Sequence, residues 1–226
     1  MTDADFIHNT RDSYDKIAEE YSEQFPSGLG DRPVDRGLVG AFAELVKARG
    51  SEPVADLGSG PGHVTAHLQE LGVRVFGVDL SPRMVALARQ AHPELRFHVG
   101  TMTALDLPDE TLGGIFSLFS VIHVPESELP ALCKEFSRVL VPGGYVLLCF
   151  QIDNTTTRLR ITERFGHDIN LDYHWHDPTR FATLLTEYGL PVEALCVLQP
   201  PEGANRARAF LLARKAERVE GAGAGL

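Results

Sequence analysis

The chain has 226 residues, of which 43% are hydrophobic and 23% are charged, so it can bury a full core and wholesale disorder is not expected. Its formal net charge of −10, without any basic run, argues against general nucleic-acid binding, which depends on clustered lysine and arginine. The three cysteines are widely spaced and fit neither a disulfide framework nor a zinc knuckle. We therefore expect a cytoplasmic protein with no nucleic-acid partner.

The N-terminal region predicts helices rather than a targeting segment. The first nine residues lack the basic flank and apolar core of a signal peptide, and no window approaches 18 uninterrupted apolar residues, so we expect no membrane segment. Two helical stretches follow, at 10–25 and 33–49, separated by a turn-rich segment at 26–30. We expect the first helix to move relative to the rest of the chain.

Short apolar runs alternate with helical patterns from about residue 53 to residue 151, which is typical of βαβ units around a parallel sheet. The predicted strands are 54–57, 73–78, 95–99, 114–121 and 145–150, and the predicted helices are 64–71, 82–91 and 127–140. Ser81 marks the start of the second of these helices. Gly143 and Gly144, after Pro142, are expected to stop the third helix.

The remainder of the chain predicts a hairpin and a sheet edge. Alternating apolar and polar residues at 158–165 and 169–173 indicate a hairpin inserted after the fifth strand. It is followed by a helix and two strands, at 178–188, 192–198 and 207–213. The two strands are expected to pair antiparallel at one edge of the sheet, and the glycine-rich segment 220–226 is expected to be a frayed tail.

A glycine-rich turn joins the first predicted strand to its helix, with the sequence Asp56-Leu57-Gly58-Ser59-Gly60-Pro61-Gly62. Glycines at such a turn let the backbone pass close under a ligand. The next strand ends in Asp79, a carboxylate positioned to bind a ribose diol. The turn and this aspartate together predict a nucleoside-binding site.

A dinucleotide-binding fold uses a similar turn, so the two possibilities have to be compared. Its Gly-x-Gly-x-x-Gly fingerprint places a third glycine beneath the pyrophosphate, where this chain has His63. Asp56, two residues before the first glycine, suits a cationic ammonium better than a phosphate. A ligand with a positively charged amino acid end is therefore favoured.

Five segments occur in a recognisable order, at 56–62, 78–81, 100–108, 116–123 and 138–144. They resemble the successive motifs of the class I, Rossmann-like S-adenosylmethionine-dependent methyltransferases that act on small molecules, and the resemblance covers nearly the whole chain. It implies an α/β fold with a seven-stranded, mostly parallel sheet and helices on both faces. It also implies an N-terminal helical lid, together with the hairpin inserted after strand five.

By that resemblance, S-adenosylmethionine binds at the glycine turn and leaves as S-adenosylhomocysteine (SAH). Its methionine part would lie along the glycines, its ribose hydroxyls on Asp79, and its adenine near the backbone N–H of Met102. Many relatives carry aspartate where this chain has Thr101, and we expect Thr101 to accept a hydrogen bond in its place. The implied cofactor-binding residues are Tyr21, Asp56, Gly58, Gly60, Asp79, Leu80, Met84, Thr101, Met102 and Ser120.

Two regions supply candidates for catalysis. Tyr14 and Tyr21 are seven residues apart, so they share one face of the predicted lid helix. The resemblance implies that such tyrosines close over the cofactor and the substrate, while helix packing is the alternative. His123 lies just past the fourth strand and is the first candidate for a general base, with a purely pocket-shaping role as the alternative.

A second cluster, Tyr173-His174-Trp175-His176-Asp177, follows the predicted hairpin and is expected to hang over the same crevice. His174 joins His123 and Tyr14 as a catalytic candidate. A metal site built from this cluster is the alternative, but helical ligand spacing is lacking, so we predict no metal. The candidates for the substrate pocket are Phe119, Phe150, Gln151, Tyr173, Trp175 and His176.

The predicted function is methyl transfer from S-adenosylmethionine to an oxygen, nitrogen or carbon of a small metabolite, by in-line displacement with or without a general base. A monomer or homodimer with a small-molecule substrate is expected. The expected single domain, 1–226, divides into a lid, a cofactor-binding core, a substrate cap, a C-terminal unit and a tail, at 1–50, 51–151, 152–177, 178–214 and 215–226. An NAD(P)-dependent oxidoreductase and a catalytically silent methyltransferase-like binding protein are the alternatives.

Overall fold

The computed structural model describes residues 3–26, 29–30, 32–153, 156–200 and 206–217. The helices are α1 (Asp3–Gln24), α2 (Pro33–Arg49), α3 (His63–Glu70), α4 (Pro82–Ala91), α5 (Leu129–Val139) and α6 (Pro178–Glu187). The strands are β1 (Val54–Leu57), β2 (Val75–Asp79), β3 (Phe97–Val99), β4 (Leu112–Leu118), β5 (Leu140–Ile152), β6 (Arg158–Arg164), β7 (His167–His174), β8 (Val192–Leu198) and β9 (Ala207–Arg214). The predicted frayed segment at 220–226 lies outside the described residues.

Seven strands form one sheet in the order β3-β2-β1-β4-β5-β9-β8. The first five are parallel, whereas β9 runs antiparallel to both β5 and β8. The strand order reverses between β1 and β4, and open α/β sheets bind ligands at such a switch point, outside the carboxyl ends of the strands. The predicted fold class is confirmed, and the two last strands pair at one edge as expected.

Helices cover both faces of the sheet because its central strands are apolar on both sides. All four residues of β1 are buried. On one face Leu132 and Phe136 of α5 belong to the same apolar cluster as Leu57. On the other face Phe42 of α2 packs against Phe116 of β4, with ring centroids 5.8 Å apart. This two-sided burial fixes the strand ends from which the site is built.

The glycine pair expected to stop the third predicted helix lies within a strand instead. Helix α5 ends at Val139, and β5 begins at the next residue. Leu140 already pairs with Leu112 of β4, after which the register shifts. Gly143 lies within this irregularity and has a φ of 74°, a conformation that glycine adopts at little cost. The pair therefore shapes an irregular strand, and the prediction of a helix stop was wrong.

Strand β4 ends at Leu118 rather than at residue 121. Phe119 has a φ of 54°, a left-handed conformation that breaks the strand. Its backbone N–H still donates to the carbonyl of Cys149 on β5, at 2.7 Å. The chain then forms a 3₁₀ turn, Val121–His123, beside the crevice at the switch point.

Helix α1 begins at Asp3 rather than at residue 10, because Phe6 in the added turns is buried. Further along the helix, Ile17 packs against Ile169 and Leu171 of β7. Strand β7 pairs antiparallel with β6 and so forms the expected hairpin after β5. The hairpin therefore supports the N-terminal helix.

No helix within the described ranges is both long and apolar enough to cross a bilayer. The three cysteines are free thiols, and Cys133 and Cys149 are buried in the core. Burial raises the pKa of the Cys133 thiol to about 12. These two side chains therefore pack as small apolar groups.

Candidate active site

A cleft opens at the carboxyl ends of β1, β2 and β4, beneath helix α1. It encloses about 730 Å³ of space between atoms, a volume that includes the part open to solvent. The predicted site residues that line it are Tyr14, Tyr21, Gly58, Gly60, Asp79, Leu80, Met84, Thr101, Met102, Phe119, Ser120 and His123. We call it the donor cleft.

A second cleft, which we call the acceptor cleft, adjoins the first. Tyr14 and Phe119 line both, so the two spaces share a wall. The acceptor cleft encloses about 1120 Å³, again counting the part open to solvent. Of the other predicted site residues, Asp56, Gln151 and Tyr173 line it, together with Tyr21, Gly58 and Gly60, which it shares with the donor cleft. The structure thus brings most of the predicted residues to one region.

The glycine turn exposes its backbone to the donor cleft. Gly58 has a φ of 75°, and its N–H donates to the carbonyl of Val78 at 2.7 Å. A Cβ at Gly58 would lie 2.2 Å from the Cβ of Ser120, so no side chain fits there. Gly60 also has a positive φ, 52°, but a Cβ there would meet no atom within 4 Å. The open space above Gly60 is therefore where a ligand can approach the backbone.

Asp79 at the end of β2 faces the same space. One carboxylate oxygen accepts the backbone N–H of Gly60 at 2.8 Å, and the other accepts that of Ser81 at 2.9 Å. Each oxygen keeps a second lone pair with which it can accept a hydroxyl hydrogen. Burial raises the pKa of Asp79 to about 6, although these two hydrogen bonds lower it. The carboxylate is thus held in place by the turn on which a ligand would rest.

Asp56 is a second buried carboxylate, only 2% exposed, and it accepts a hydrogen bond from the Thr65 hydroxyl at 2.6 Å. Burial raises its pKa to about 7. Within the described ranges neither Asp56 nor Asp79 pairs with a cationic side chain. Two buried acids without cations fit a ligand that has a positive charge and hydroxyl donors, such as S-adenosylmethionine, and they repel a pyrophosphate.

An apolar wall continues the donor cleft away from the glycine turn. Met84 of α4 is buried there beside Leu80, which precedes that helix. Met102 and Thr101, which follow β3, line the same cleft, and the Thr101 hydroxyl is hydrogen-bonded to that of Thr103 at 2.9 Å. This wall can accommodate a flat aromatic group such as adenine.

His123 joins helix α1 to the β6–β7 hairpin. Its Nδ1–H donates to the backbone carbonyl of Asp172 at 3.0 Å, because a carbonyl oxygen can only accept. Its Nε2 then accepts the hydroxyl hydrogen of Tyr14, at 2.8 Å. Burial lowers the pKa of His123 to about 4. The imidazole is therefore neutral at physiological pH and fixed in one tautomer by the hairpin.

Helix α1 is also hydrogen-bonded to the start of α4. Ser81 caps that helix by accepting the Met84 backbone N–H at 3.0 Å, and its hydroxyl donates to the Asp15 carboxylate on α1. The same carboxylate accepts the backbone N–H of Arg83 at 3.0 Å. One buried serine therefore links the lid helix to the end of β2.

Replacing Ser81 with alanine should lower the free energy of unfolding by about 1–2 kcal/mol, because the helix loses its N-cap and Asp15 loses a donor. Urea unfolding followed by circular dichroism measures the change. Ser51→Ala, at an exposed serine, is the matched control and should stay within about 0.5 kcal/mol of the wild type. Equal stabilities of the two variants would contradict this assignment.

Four predicted residues line neither cleft: Phe150, His174, Trp175 and His176. Phe150 is fully buried in the core, with its ring 5.5 Å from that of Phe181. Side chains alternate along a strand, so Tyr173 faces the acceptor cleft and its neighbour His174 faces away. Trp175 and His176 border a separate surface cleft beside α6.

The histidines and the aspartate at 174–177 were also considered as a metal site. The described part of the chain contains no group of three or more side chains that could hold a metal ion. The Asp177 carboxylate instead accepts the Arg180 backbone N–H at 2.8 Å and so caps α6. His176 donates from Nε2 to the carbonyl of Val121 at 3.1 Å.

Several residues of the site have no distinctive signal in the sequence. Phe6 and Thr10 line the donor cleft, and Arg32 and Arg164 line the acceptor cleft. Phe6 lies in a helical turn that the sequence did not predict, and Thr10 lies at the start of the predicted helix. The arginines resemble ordinary surface charges until the fold brings aromatic rings beside them.

The comparisons with known proteins agree with this geometry. Residues 54–144 match the methyltransferase domain family. The chain is 32% identical over 139 residues to the demethylmenaquinone methyltransferase of Chlorobaculum parvum, a match that covers 59% of this chain and 56% of that protein. It is 33% identical over 136 residues to the N-demethylindolmycin N-methyltransferase of Streptomyces griseus, with 56% of each covered. The match thus spans about half the length of these relatives.

The fold has close counterparts among solved structures. The structure of the DhpI–SAH complex superposes with a TM-score of 0.70 at 22% identity, and the match covers 96% of this chain and 100% of that one. At this identity the likeness establishes the fold alone. Together with the family match it confirms the resemblance found in the motifs. Residues 54–144 therefore form a methyltransferase domain, in a chain with the class I, Rossmann-like methyltransferase fold.

Proposed function

We propose that the chain transfers a methyl group from S-adenosylmethionine to an oxygen, nitrogen or carbon of a small molecule. One observation carries the proposal: two buried carboxylates, Asp56 and Asp79, flank an open glycine turn and have no cationic partner among the described residues. A ligand with an ammonium group and a ribose diol supplies what both acids lack.

Each residue of the donor cleft would bind the part of S-adenosylmethionine that matches its chemistry. Asp56 would bind the ammonium group, and Asp79 would accept hydrogen bonds from the ribose hydroxyls. Gly58 and Gly60 would let the methionine part lie against the backbone, with Ser120 behind the turn. Leu80 and Met84 would pack on the adenine, opposite Thr101 and Met102. When bound, S-adenosylmethionine supplies a methyl group on a sulfonium sulfur.

The lid and the hairpin would hold the acceptor. Tyr14 and Tyr21 line both clefts, with ring centroids 5.6 Å apart. Residues 1–50 would act as the lid and 152–177 as the cap over the core at 51–151. Phe119, Gln151 and Tyr173 would form the walls against which the acceptor is oriented. Methyl transfer depends on such alignment and on the exclusion of water.

The His123 imidazole is the candidate for taking a proton from the acceptor. The Nε2 atom of His123 is unprotonated and accepts the Tyr14 hydroxyl hydrogen. An acceptor hydroxyl or amine that displaces Tyr14 could give its proton to this atom. His174 lines neither cleft, so a role for it would be indirect, through the hairpin.

The charge state of His123 can be measured without knowledge of the acceptor. Burial lowers its pKa to about 4, so its ring carbon and nitrogen NMR signals should stay constant between about pH 5.5 and 8. The His123→Gln variant identifies those signals by their absence. A titration midpoint near 6.5 would contradict the buried, neutral imidazole.

Thermal unfolding with two ligands tests the donor directly. At a hundredfold excess over its Kd, SAH should stabilise the protein by about 2.7 kcal/mol, which raises the Tm by roughly 5–10 °C. NAD should not. Stabilisation by NAD alone would favour an oxidoreductase. Stabilisation by SAH with no SAH formed from S-adenosylmethionine, across hydroxyl, amine and carbanion acceptors, would favour a catalytically silent binding protein.

A further inference from the structure

The acceptor cleft contains an arginine whose surroundings are unusual for this chain. Arg164, at the end of β6, lies over the rings of Tyr21 and Phe25, each 5.6 Å from its guanidinium carbon. It also lies 5.0 Å from the ring of Phe165. Its Nη1 donates to the hydroxyl of Tyr173 at 2.7 Å. Aromatic side chains thus hold this cation at the wall of the cleft.

No carboxylate of the described residues forms an ion pair with Arg164. Two other arginines of the same strand differ in this respect, because Arg158 and Arg160 both pair with Asp172, at 2.6 and 2.7 Å. A guanidinium group has five N–H donors, and the Tyr173 hydroxyl takes one of them. The chain has a net charge of −10, so a cation beside a cleft without an acidic partner stands out. Its remaining N–H donors can bind a negatively charged ligand.

The position of Arg164 assigns it to the acceptor rather than to the donor. Its ring contacts and its hydrogen bond are with Tyr21, with Phe25 just after α1 and with the hairpin, and none of those described is with the glycine turn, Asp56 or Asp79, which would hold the donor. Arg32 lines the acceptor cleft on the side of Phe119, but it pairs with Asp35 and donates to the carbonyl of Leu29. Arg164 therefore has the more available guanidinium group.

We propose that the methyl acceptor is an aromatic or otherwise apolar molecule that carries an oxyanion, either a carboxylate or a phosphoryl group. We propose further that Arg164 binds this oxyanion. The inference rests on the proposed methyl transfer, whose acceptor it specifies. A planar guanidinium group matches the two oxygens of such an anion. The rings of Tyr21, Phe25 and Tyr173 receive the apolar part.

Calorimetric titration of the full chain, saturated with SAH, tests the proposal with three probes of similar size: 3-phenylpropanoate, phenylphosphonate and the uncharged 3-phenylpropanamide. We expect at least one acid to bind about 10- to 100-fold more tightly than the amide. The acid that binds better distinguishes a carboxylate acceptor from a phosphoryl acceptor. Equal binding of acids and amide, or no binding by either acid, would overturn the proposal.

Variants connect this preference to Arg164. In Arg164→Gln the preference for the acid should disappear, whereas Arg180→Gln, at an exposed arginine on α6, should bind both probes as the wild type does. Tyr173→Phe, which removes one hydroxyl, should reduce the preference by about threefold and remains informative if the first variant unfolds. An acid preference that survives in Arg164→Gln would refute the assignment.

The affinity for SAH, measured in the same samples, distinguishes a failure of the Arg164 proposal from a failure of the proposed methyl transfer. Arg164→Gln should bind SAH within about twofold of the wild type. A tenfold loss of SAH affinity with an intact acid preference would mean that Arg164 holds the carboxylate of the donor instead. A wild type that fails to bind SAH would refute the proposed function itself, before any acceptor is added.

Discussion

Replacing Asp79 with alanine should weaken SAH binding by about 1–3 kcal/mol, a loss of roughly 5- to 150-fold in affinity. The carboxylate is held by the backbone N–H groups of Gly60 and Ser81, so it is oriented before the ligand arrives. The variant loses both ribose hydrogen bonds and the negative charge of the site. Calorimetric titration with SAH measures the change, and unchanged affinity would remove this role from Asp79.

The same substitution should also change how stability depends on pH. Burial raises the pKa of Asp79 from 3.8 in the unfolded chain to about 6 in the folded protein. Between about pH 4 and 6 the folded protein therefore holds a proton that the unfolded chain has released, and the wild type loses stability as pH rises through this window. Asp79→Ala should gain roughly 1–3 kcal/mol relative to the wild type over that range, with no further change above it.

Alanine variants of two glycines should differ in opposite ways in stability and in affinity for SAH, because the surroundings of their Cβ positions differ. Gly58→Ala should lower the free energy of unfolding by about 2–5 kcal/mol: the left-handed backbone costs about 1–2 kcal/mol, and a Cβ 2.2 Å from that of Ser120 adds a packing clash. Gly60→Ala has the same backbone strain but open space around its Cβ, so it should lose only about 1–2 kcal/mol.

The affinity for SAH should be reduced more in the variant that is the more stable of the two, Gly60→Ala. The Cβ of Gly60→Ala would occupy the space through which the donor reaches the backbone, so SAH affinity should fall at least about tenfold although the fold is retained. Adding Ser120→Gly to Gly58→Ala should restore part of its stability by relieving the clash. Equal unfolding free energies for both alanine variants, or normal SAH binding by Gly60→Ala, would contradict this description of the turn.

The sequence predicts the central sheet well because its signals are local and strong. The apolar run of β1 leads directly into the glycine turn, and the capped start of α4 follows Asp79, so both strand ends could be located without a structure. Element boundaries that depend on distant contacts were less predictable. The extension of α1 back to Asp3 reflects the burial of Phe6 in the folded cleft, which no local pattern reveals.

The acceptor side was harder to predict because it is assembled from several separate parts of the chain. The aromatic and histidine cluster after the hairpin was expected to face the crevice as a group, but alternation along β7 turns Tyr173 and His174 to opposite sides. Arg164 offers no motif at all, and its role emerges only when α1 places Tyr21 and Phe25 beside it.

Helix α1 is hydrogen-bonded on two sides of the cleft. On one side Tyr14 donates to His123, and on the other Asp15 accepts from Ser81. Release of the helix would break both contacts, one of them at the end of β2 beside the ribose site.

A crystal structure with saturating SAH tests the central claim most directly. The account predicts the ribose hydroxyls within about 3 Å of the Asp79 carboxylate, the ammonium group beside Asp56, and the adenine between Met84 and Met102. An SAH molecule bound outside this cleft, or turned so that its adenine lies on the glycine turn, would contradict it.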